Sequence, residues 1–282
     1  MAMYRKAGKD GVLHVRIPLR HLGLWRAVAA EFIGTFLMVA MGCLAVFPSE
    51  VNPDLDNLIV PGLAFAGIIV TLIHVIGPTS GCNINPAVTL ALVVIRRCHP
   101  LKGILYFVAQ ILGGIVGSYF LYLLSPYEWC ENAHLCMTRV KPVINCAQAV
   151  GVEVVTTGVL VLIVMVISDP DPHKDFEGFP SLAGGIAVMT CVYAAAPYTG
   201  ASLNPARSFG PALVNWEWAN HWVSWVGPLL GSVCAVGVYK LVLEQGIHQN
   251  DPPPPEYSTE RRDNGAEEGF APTTGVAEGT TF

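Results

Sequence analysis

Two identical triplets combine an amide side chain with a helix start. They are Asn85, Pro86 and Ala87, and Asn204, Pro205 and Ala206. Asn is a favoured N-cap residue, and Pro suits the first helical position because its missing N–H would have no partner there. Each triplet therefore predicts a helix N-terminus, which carries roughly half an elementary positive charge. Two such termini facing each other would repel cations and protons, while the amide N–H groups could still bind the oxygen of a neutral solute.

The elements that position these triplets are predicted to lie in a membrane. Of the 282 residues, 52% are hydrophobic and only 13% are charged, against about 25% charged residues in soluble domains. Six runs reach the roughly 20 apolar residues that a membrane-spanning helix needs. They are 24–47, 58–77, 101–126, 147–168, 181–198 and 220–243. Two shorter runs, 85–95 and 204–214, begin at or beside the triplets and predict re-entrant half-helices.

The two halves of the sequence carry the same features in the same order. Glu31 precedes Asn85 by 54 positions, and Glu153 precedes Asn204 by 51. Each half holds three predicted spans, so the second half is inserted upside down relative to the first. Such inverted repeats place a functional site near the middle of the bilayer. We therefore predict an all-α membrane protein with six transmembrane helices and two re-entrant half-helices in an inverted 3+3 repeat.

Basic residues near the span ends predict the orientation, because they mark the cytosolic side. The first 23 residues hold five of them, and Arg96, Arg97 and Lys102 follow the first short run, whereas the connection between the first two spans has none. Both termini are therefore expected in the cytosol. The predicted organisation is a cytoplasmic N-terminal segment, a first channel repeat, an extracellular connecting loop, a second channel repeat and a disordered cytoplasmic tail. Their ranges are 1–23, 24–126, 127–146, 147–245 and 246–282.

These motifs resemble the aquaporin (major intrinsic protein) family over about residues 24–243. The resemblance rests on AAEFIGTFL with SGCNINPAV in the first half, and on GVEVVTTGV with TGASLNPAR in the second. It implies a water channel in the plasma membrane, assembled as a homotetramer with one pore per subunit. The buried carboxylates of Glu31 and Glu153 would accept hydrogen bonds from the re-entrant loops.

The resemblance also implies a constriction formed by four positions, counted without gaps from the triplets. They are Phe65, Val192, Ala201 and Arg207. Water-selective members that resemble this chain usually carry His where Val192 stands. A slot with apolar walls and one fixed donor suits glycerol, whose carbons and hydroxyls lie on opposite sides, and should also admit urea. Ser208 and the residues after it resemble the water branch, and the combination resembles the entomoglyceroporins, a glycerol-conducting group of water-channel ancestry.

Four other interpretations remain open at this point. A neighbouring side chain could fill the slot and leave a strictly water-selective pore. Inverted repeats also occur in secondary transporters, although Asn, Pro and Ala at the centre cannot couple to protons. An ion channel and a non-conducting adhesion protein on the same fold are the remaining two. No nucleophile, general base or metal cluster has usable spacing, so neither an enzyme nor a cofactor or metal site is predicted. The net charge of −5 argues against nucleic acid as a partner.

Cysteines and the C-terminal tail give two further hypotheses. Cys82 mirrors Ala201 on the cytoplasmic side of the triplets and is a candidate site for mercurial block. The connection between the third and fourth spans holds three cysteines, for which no disulfide pairing is assigned. Pro254, Pro255 and Tyr257 fit a ligand for WW domains, which bind Pro-rich extended segments.

Overall fold

The computed structural model describes residues 21–51, 59–132, 136–169 and 179–243. Within these ranges the chain forms nine α-helices followed by a π-helical turn, and it contains no β-strand. The helices are α1 Leu22–Val51, α2 Ile59–Ser80, α3 Pro86–Val94, α4 Pro100–Leu124, α5 Tyr127–Asn132, α6 Cys146–Ile167, α7 Pro180–Thr199, α8 Pro205–Asn215 and α9 Val223–Val238, and the π-helical turn is Tyr239–Leu243. The predicted all-α class is confirmed.

Six of these helices are long and apolar enough to cross a membrane: α1, α2, α4, α6, α7 and α9, the last together with the π-helical turn. Their outward faces carry exposed Leu, Ile, Val and Phe side chains, as expected for a surface in contact with lipid. Buried polar side chains, by contrast, lie in the interior of the bundle. The chain is therefore a multi-pass membrane protein.

Glycines allow the spans of each half to approach backbone to backbone. A Cβ atom on Gly113 of α4 would lie 2.5 Å from the Phe32 carbonyl oxygen of α1. In the second half, a Cβ atom on Gly231 of α9 would lie 2.5 Å from the Val154 carbonyl oxygen of α6. Contacts this close explain why small residues occupy the helix interfaces, where dispersion rather than the hydrophobic effect favours packing.

The two halves interlock through their short helices. Helix α1 packs against α4, and α6 packs against α9, as the inverted repeat requires. The short helix of each half contacts the last span of the other half, so that α3 packs against α9 and α8 against α4. The Ser232 hydroxyl of α9 donates to the Ala87 carbonyl oxygen of α3 at 2.7 Å. Each short helix is therefore held from both halves at once.

Two parts of the chain differ from, or lie beyond, the sequence-based prediction. A short helix, α5, occupies part of the connection predicted over 127–146. Its six residues leave the level of the preceding span without adding a further crossing. The tail motif of Pro254, Pro255 and Tyr257 lies outside the described residues, as do 170–178.

Candidate pore and constriction

The two Asn-Pro-Ala triplets begin α3 and α8 with the same hydrogen bonds. The Asn85 Oδ1 atom accepts from the Ala87 amide at 2.8 Å. The Asn204 Oδ1 atom accepts from the Ala206 amide at 3.0 Å and from the Arg207 amide at 3.3 Å. Proline follows each Asn as the first helical residue. The side-chain oxygen of each Asn thus partners amides of the first turn that the helix itself leaves unpaired.

The other end of each Asn side chain bonds to the opposite loop. The Asn85 Nδ2 atom donates to the Leu203 carbonyl oxygen at 2.8 Å, and the Asn204 Nδ2 atom donates to the Ile84 carbonyl oxygen at 2.8 Å. These reciprocal bonds bring the two triplets together in the interior of the bundle. Because a carboxamide nitrogen carries two N–H groups, each Asn retains a second donor beside its cross-loop bond.

A left-handed backbone precedes each triplet. Cys82 and Ala201 have φ angles of 52° and 56°, and Ile84 and Leu203 have φ angles of 42° and 54°. Non-glycine residues adopt such angles uncommonly, at an energetic cost that the surrounding structure must offset. The matching angles in both loops follow the inverted repeat and turn both segments into the bundle centre.

Buried carboxylates hold these loops in place. The Glu31 carboxylate accepts from the Asn83 amide at 2.9 Å and from the Ile84 amide at 2.6 Å. Glu153 accepts from the Ser202 and Leu203 amides, both at 2.8 Å. Glu31 and Glu153 are fully buried, as expected of charges with well-matched partners.

The direction of these amides fixes the direction of the neighbouring carbonyls. In a trans peptide the N–H of one residue points opposite to the C=O of the residue before it. Since the amides of residues 83 and 84 face Glu31, the carbonyl groups of Cys82 and Asn83 face away from it. Cys82, Asn83 and Ala201 all line the central cavity. A row of acceptors thus borders the cavity on one side.

A cavity of about 280 Å³ runs past both triplets. Asn85 and Asn204 line it, whereas the Pro and Ala residues of the triplets lie behind its wall. Cys82, whose side chain is half-buried, lines the cavity as well. The four constriction positions expected from the resemblance also border it: Phe65, Val192, Ala201 and Arg207.

The guanidinium of Arg207 is fixed in this wall by one residue that the sequence did not suggest. Its Nη1 atom donates to the Cys136 carbonyl oxygen at 2.7 Å, and its Nη2 atom lies 3.1 Å from the Cys136 Sγ atom. The guanidinium carbon also lies 5.3 Å from the centre of the Phe65 ring, within cation–π range. Cys136 attracted notice in the sequence only as a cysteine in a connecting loop, and no spacing rule joins it to Arg207.

The walls beside Arg207 are small or apolar. Phe65, Val192 and Ala201 are all buried in the cavity wall. The residues flanking Val192 are engaged elsewhere, since the Cys191 Sγ atom donates to the Thr156 carbonyl oxygen and the Tyr193 hydroxyl donates to the Ile59 carbonyl oxygen. The opening beside Val192 is therefore not filled by its sequence neighbours.

The three cysteines of the long connection do not pair with one another. Cys130, Cys136 and Cys146 are free thiols in the structure. The Cys146 Sγ atom donates to the Asn220 side chain, and Cys130 contacts the Tyr122 carbonyl oxygen. Among the described residues there is also no group of three or more His, Cys, Asp or Glu side chains that could hold a metal ion.

Comparisons with known proteins extend over this whole architecture. The model of the family described as MIP, major intrinsic protein, matches residues 18–239. This chain belongs to the major intrinsic protein family. Mouse aquaporin-4 is 38% identical over 220 residues, which are 77% of this chain and 67% of that protein. Rat aquaporin-1 is 38% identical over 225 residues, covering 78% of this chain and 82% of that protein.

Solved structures give the same assignment. The X-ray structure of the aquaglyceroporin from Plasmodium falciparum aligns with a TM-score of 0.69 at 25% identity, covering 78% of this chain and 97% of that one. Major intrinsic proteins of the aquaporin type are channels, so this chain is a membrane channel with water transport as its family activity. It is not an enzyme.

Proposed function

We propose that this channel conducts water, glycerol and urea down their gradients. The observation that carries the proposal is the opening beside Val192, where the cavity wall offers no side-chain nitrogen between Phe65 and Arg207. Glycerol can place its carbons against Phe65 and Val192 while its hydroxyls bond to Arg207 and to the exposed carbonyls of the loops. Urea is smaller and planar, and it finds the same donors and acceptors.

Exclusion of protons and cations follows from the paired helix termini. The N-termini of α3 and α8 meet at the cross-bonded Asn85 and Asn204. Their combined partial charge disfavours a cation at that depth, where little solvent screens it. A water that accepts from both Asn side chains points its own hydrogens outward in both directions. A continuous proton relay through the centre is thereby broken.

The remaining expectations complete the proposed picture of the protein in the cell. We infer a homotetramer with one pore in each subunit, in the plasma membrane, with both termini cytoplasmic. Mercurials are proposed to block through Cys82, and a Cys82→Ser protein that stayed equally sensitive would contradict this. Pro254, Pro255 and Tyr257 are proposed to recruit a WW-domain protein, which a pull-down comparing the chain with its Tyr257→Ala variant tests.

Two substitutions at one position test the proposed solute range. The purified chain in liposomes should pass water, glycerol and urea, measured by stopped-flow light scattering under solute gradients. Val192→His should lower glycerol permeability by roughly tenfold, equivalent to a barrier higher by ~1.4 kcal/mol, because it narrows the opening and adds a polar nitrogen. Val192→Met is the matched control, since it fills a similar space without a ring nitrogen and separates the effect of size from that of polarity.

Each outcome of this experiment assigns a function. Glycerol flux in the unaltered chain that both variants lose supports a wide constriction set by the size of residue 192. Loss in the His variant alone assigns the effect to its polarity. Water flux without glycerol or urea flux in the unaltered chain would overturn the proposed solute range and leave a strictly water-selective pore. Absence of all flux would favour a non-conducting adhesion protein.

A further inference from the structure

A second thiol lies behind the one that holds Arg207. The Cys43 side chain, on α1, forms a hydrogen bond with the Cys136 side chain. The two cysteines belong to one buried apolar cluster. Cys136 therefore stands between Arg207 on one side and Cys43 on the other.

The two sulfur atoms differ in their access to solutes. Cys136 lines the cavity together with Met137 and Lys141, which follow it in the same loop. Cys43 is fully buried within the helix bundle and lies behind Cys136. A small solute in the cavity therefore reaches Cys136 first, and Cys43 only through Cys136.

The surroundings of Cys136 favour its reactive form. The hydrogen bond from Cys43 and the positive charge of Arg207 lower the pKa of the Cys136 thiol to about 6, against the opposite effect of burial. Thiolate is the nucleophilic form of cysteine, so a large fraction of Cys136 is reactive at neutral pH. A thiolate 3.1 Å from the Arg207 Nη2 atom is also a charge-assisted partner for the guanidinium.

We propose that Cys136 and Cys43 form a hydroperoxide-reactive thiol pair at the constriction, and that their oxidation to a disulfide reduces flux through the pore. This inference rests on the proposed role of Arg207 in the constriction. In the first step the Cys136 thiolate attacks one peroxide oxygen, the O–O bond breaks and, with one proton taken up, water leaves, giving a sulfenic acid. In the second step the Cys43 sulfur attacks the sulfenic sulfur, the S–O bond breaks, and a second water leaves with the Cys43 proton. Two thiols are oxidised by two electrons, and one peroxide is reduced to two waters.

The disulfide would act on flux through Arg207. Its formation removes the negative charge that bonds to Nη2 and draws the Cys136 sulfur toward α1. The guanidinium then keeps its bond to the Cys136 carbonyl oxygen but loses its second Cys136 partner. It moves into the opening that Phe65, Val192 and Ala201 leave, where it narrows the pore.

Hydrogen peroxide is the probe for this proposal. The full chain in liposomes is exposed to hydrogen peroxide, its water permeability is measured by stopped flow, and its thiols are mapped by differential alkylation and peptide mass spectrometry. We expect a Cys43–Cys136 disulfide peptide to form, with a several-fold loss of water permeability that dithiothreitol reverses. Cys43→Ala should form no such peptide and should instead accumulate a dimedone-reactive sulfenic acid at Cys136.

Controls and contrary results keep the proposal separate from the proposed solute range. Cys234→Ser removes an exposed thiol of α9 and should respond to peroxide as the unaltered chain does. Each variant is scored by its flux after treatment relative to its own untreated flux. The proposal is overturned if peroxide yields no Cys43–Cys136 peptide in the unaltered chain, if complete formation of that peptide leaves water flux unchanged, or if Cys136→Ser loses the same fraction of flux. Because the readout is water flux and peptide mapping, a failure to conduct glycerol would not affect it.

Discussion

At the scale of single residues, the two buried glutamates organise more of the pore than the residues that line it. Each bonds two consecutive loop amides with its two oxygens, and Glu31 also accepts from the Gln110 side chain at 2.8 Å. Glu153 accepts from the Thr199 hydroxyl at 2.5 Å. Every one of these donors needs an oxygen opposite it. The position therefore calls for a carboxylate rather than its amide.

Glu153→Gln is the substitution that tests this requirement. Its amide nitrogen would face either the Ser202 or the Leu203 N–H, so one buried donor would lose its acceptor. We expect a loss of about 1–3 kcal/mol of unfolding free energy. Water permeability should also fall, because the loop ahead of Asn204 is no longer held. Thermal unfolding in detergent and stopped-flow permeability measure the two effects.

Glu217→Gln is the matched control for this change. Glu217 pairs with Arg139, and both side chains are partly exposed to solvent. Pairs of this kind contribute about 0–1 kcal/mol. The control should therefore unfold within that range of the unaltered chain. Equal destabilisation by the two substitutions would mean that Glu153 has no special part in holding its loop.

At the scale of helices, the fit between α8 and α4 sets the position of Arg207. A Cβ atom on Gly114 of α4 would lie 2.3 Å from the Ala206 carbonyl oxygen, next to Arg207. That oxygen belongs to the first turn of α8 and has little freedom to move. The contact leaves no room for any side chain at residue 114.

Gly114→Ala should therefore displace α8 from its seat. We expect destabilisation of about 1–3 kcal/mol from overpacking, and a fall in both water and glycerol permeability as Arg207 shifts. Gly67→Ala is the matched control, because a Cβ atom on Gly67 of α2 would meet nothing within 4 Å. Alanine there should be neutral or add up to about 1 kcal/mol through helix propensity. Unchanged permeability in the Gly114 variant would show that α8 can adjust.

Much of this element-scale arrangement could be predicted from the sequence, and the reasons are local. Hydrophobic run length gave the six spans, and Asn followed by Pro predicted the starts of α3 and α8. Helix α5 could not be predicted, because its six residues have too little periodicity to stand out from a loop. The contact of Cys136 with Arg207 joins residues 71 positions apart through an irregular segment, and no periodic pattern encodes such a contact.

A cluster on the opposite side from Cys136 has the same character. Arg97, in the turn after α3, pairs with Asp169 at 3.2 Å and donates to the Tyr239 hydroxyl at 2.6 Å. The three side chains tie together the ends of α3, α6 and α9. In the sequence Arg97 carried only an orientation signal, because its partners follow far along the chain and share no motif with it.

At the scale of the whole molecule, two sources of positive potential lie along one pore. One is the charge of Arg207, and the other is the pair of helix N-termini at Asn85 and Asn204. Because the termini are backbone features, they persist when the Arg207 side chain is removed. The two contributions can therefore be separated by experiment.

Arg207→Ala should widen the pore without opening it to protons. We expect urea permeability to rise several-fold, while proton flux, followed with a pH-sensitive dye inside the liposomes, stays at the level of the unaltered chain. Arg139→Ala is the control for loss of one positive charge nearby and should change neither flux. Proton leakage through the Arg207 variant would place the proton barrier at Arg207 and contradict the role assigned to the helix termini.

The exchange of short helices between the halves also bears on how the protein is made. Helix α3 packs against α9, the last span of the chain, which the ribosome completes on the order of ten seconds after α3 has emerged. During that interval the Ala87 carbonyl oxygen lacks the Ser232 hydroxyl, and the first half has no complete wall on which to seat its short helix. The N-terminal half is thus an unfinished structure throughout synthesis, and a chain truncated before α9 should be a substrate for membrane quality control.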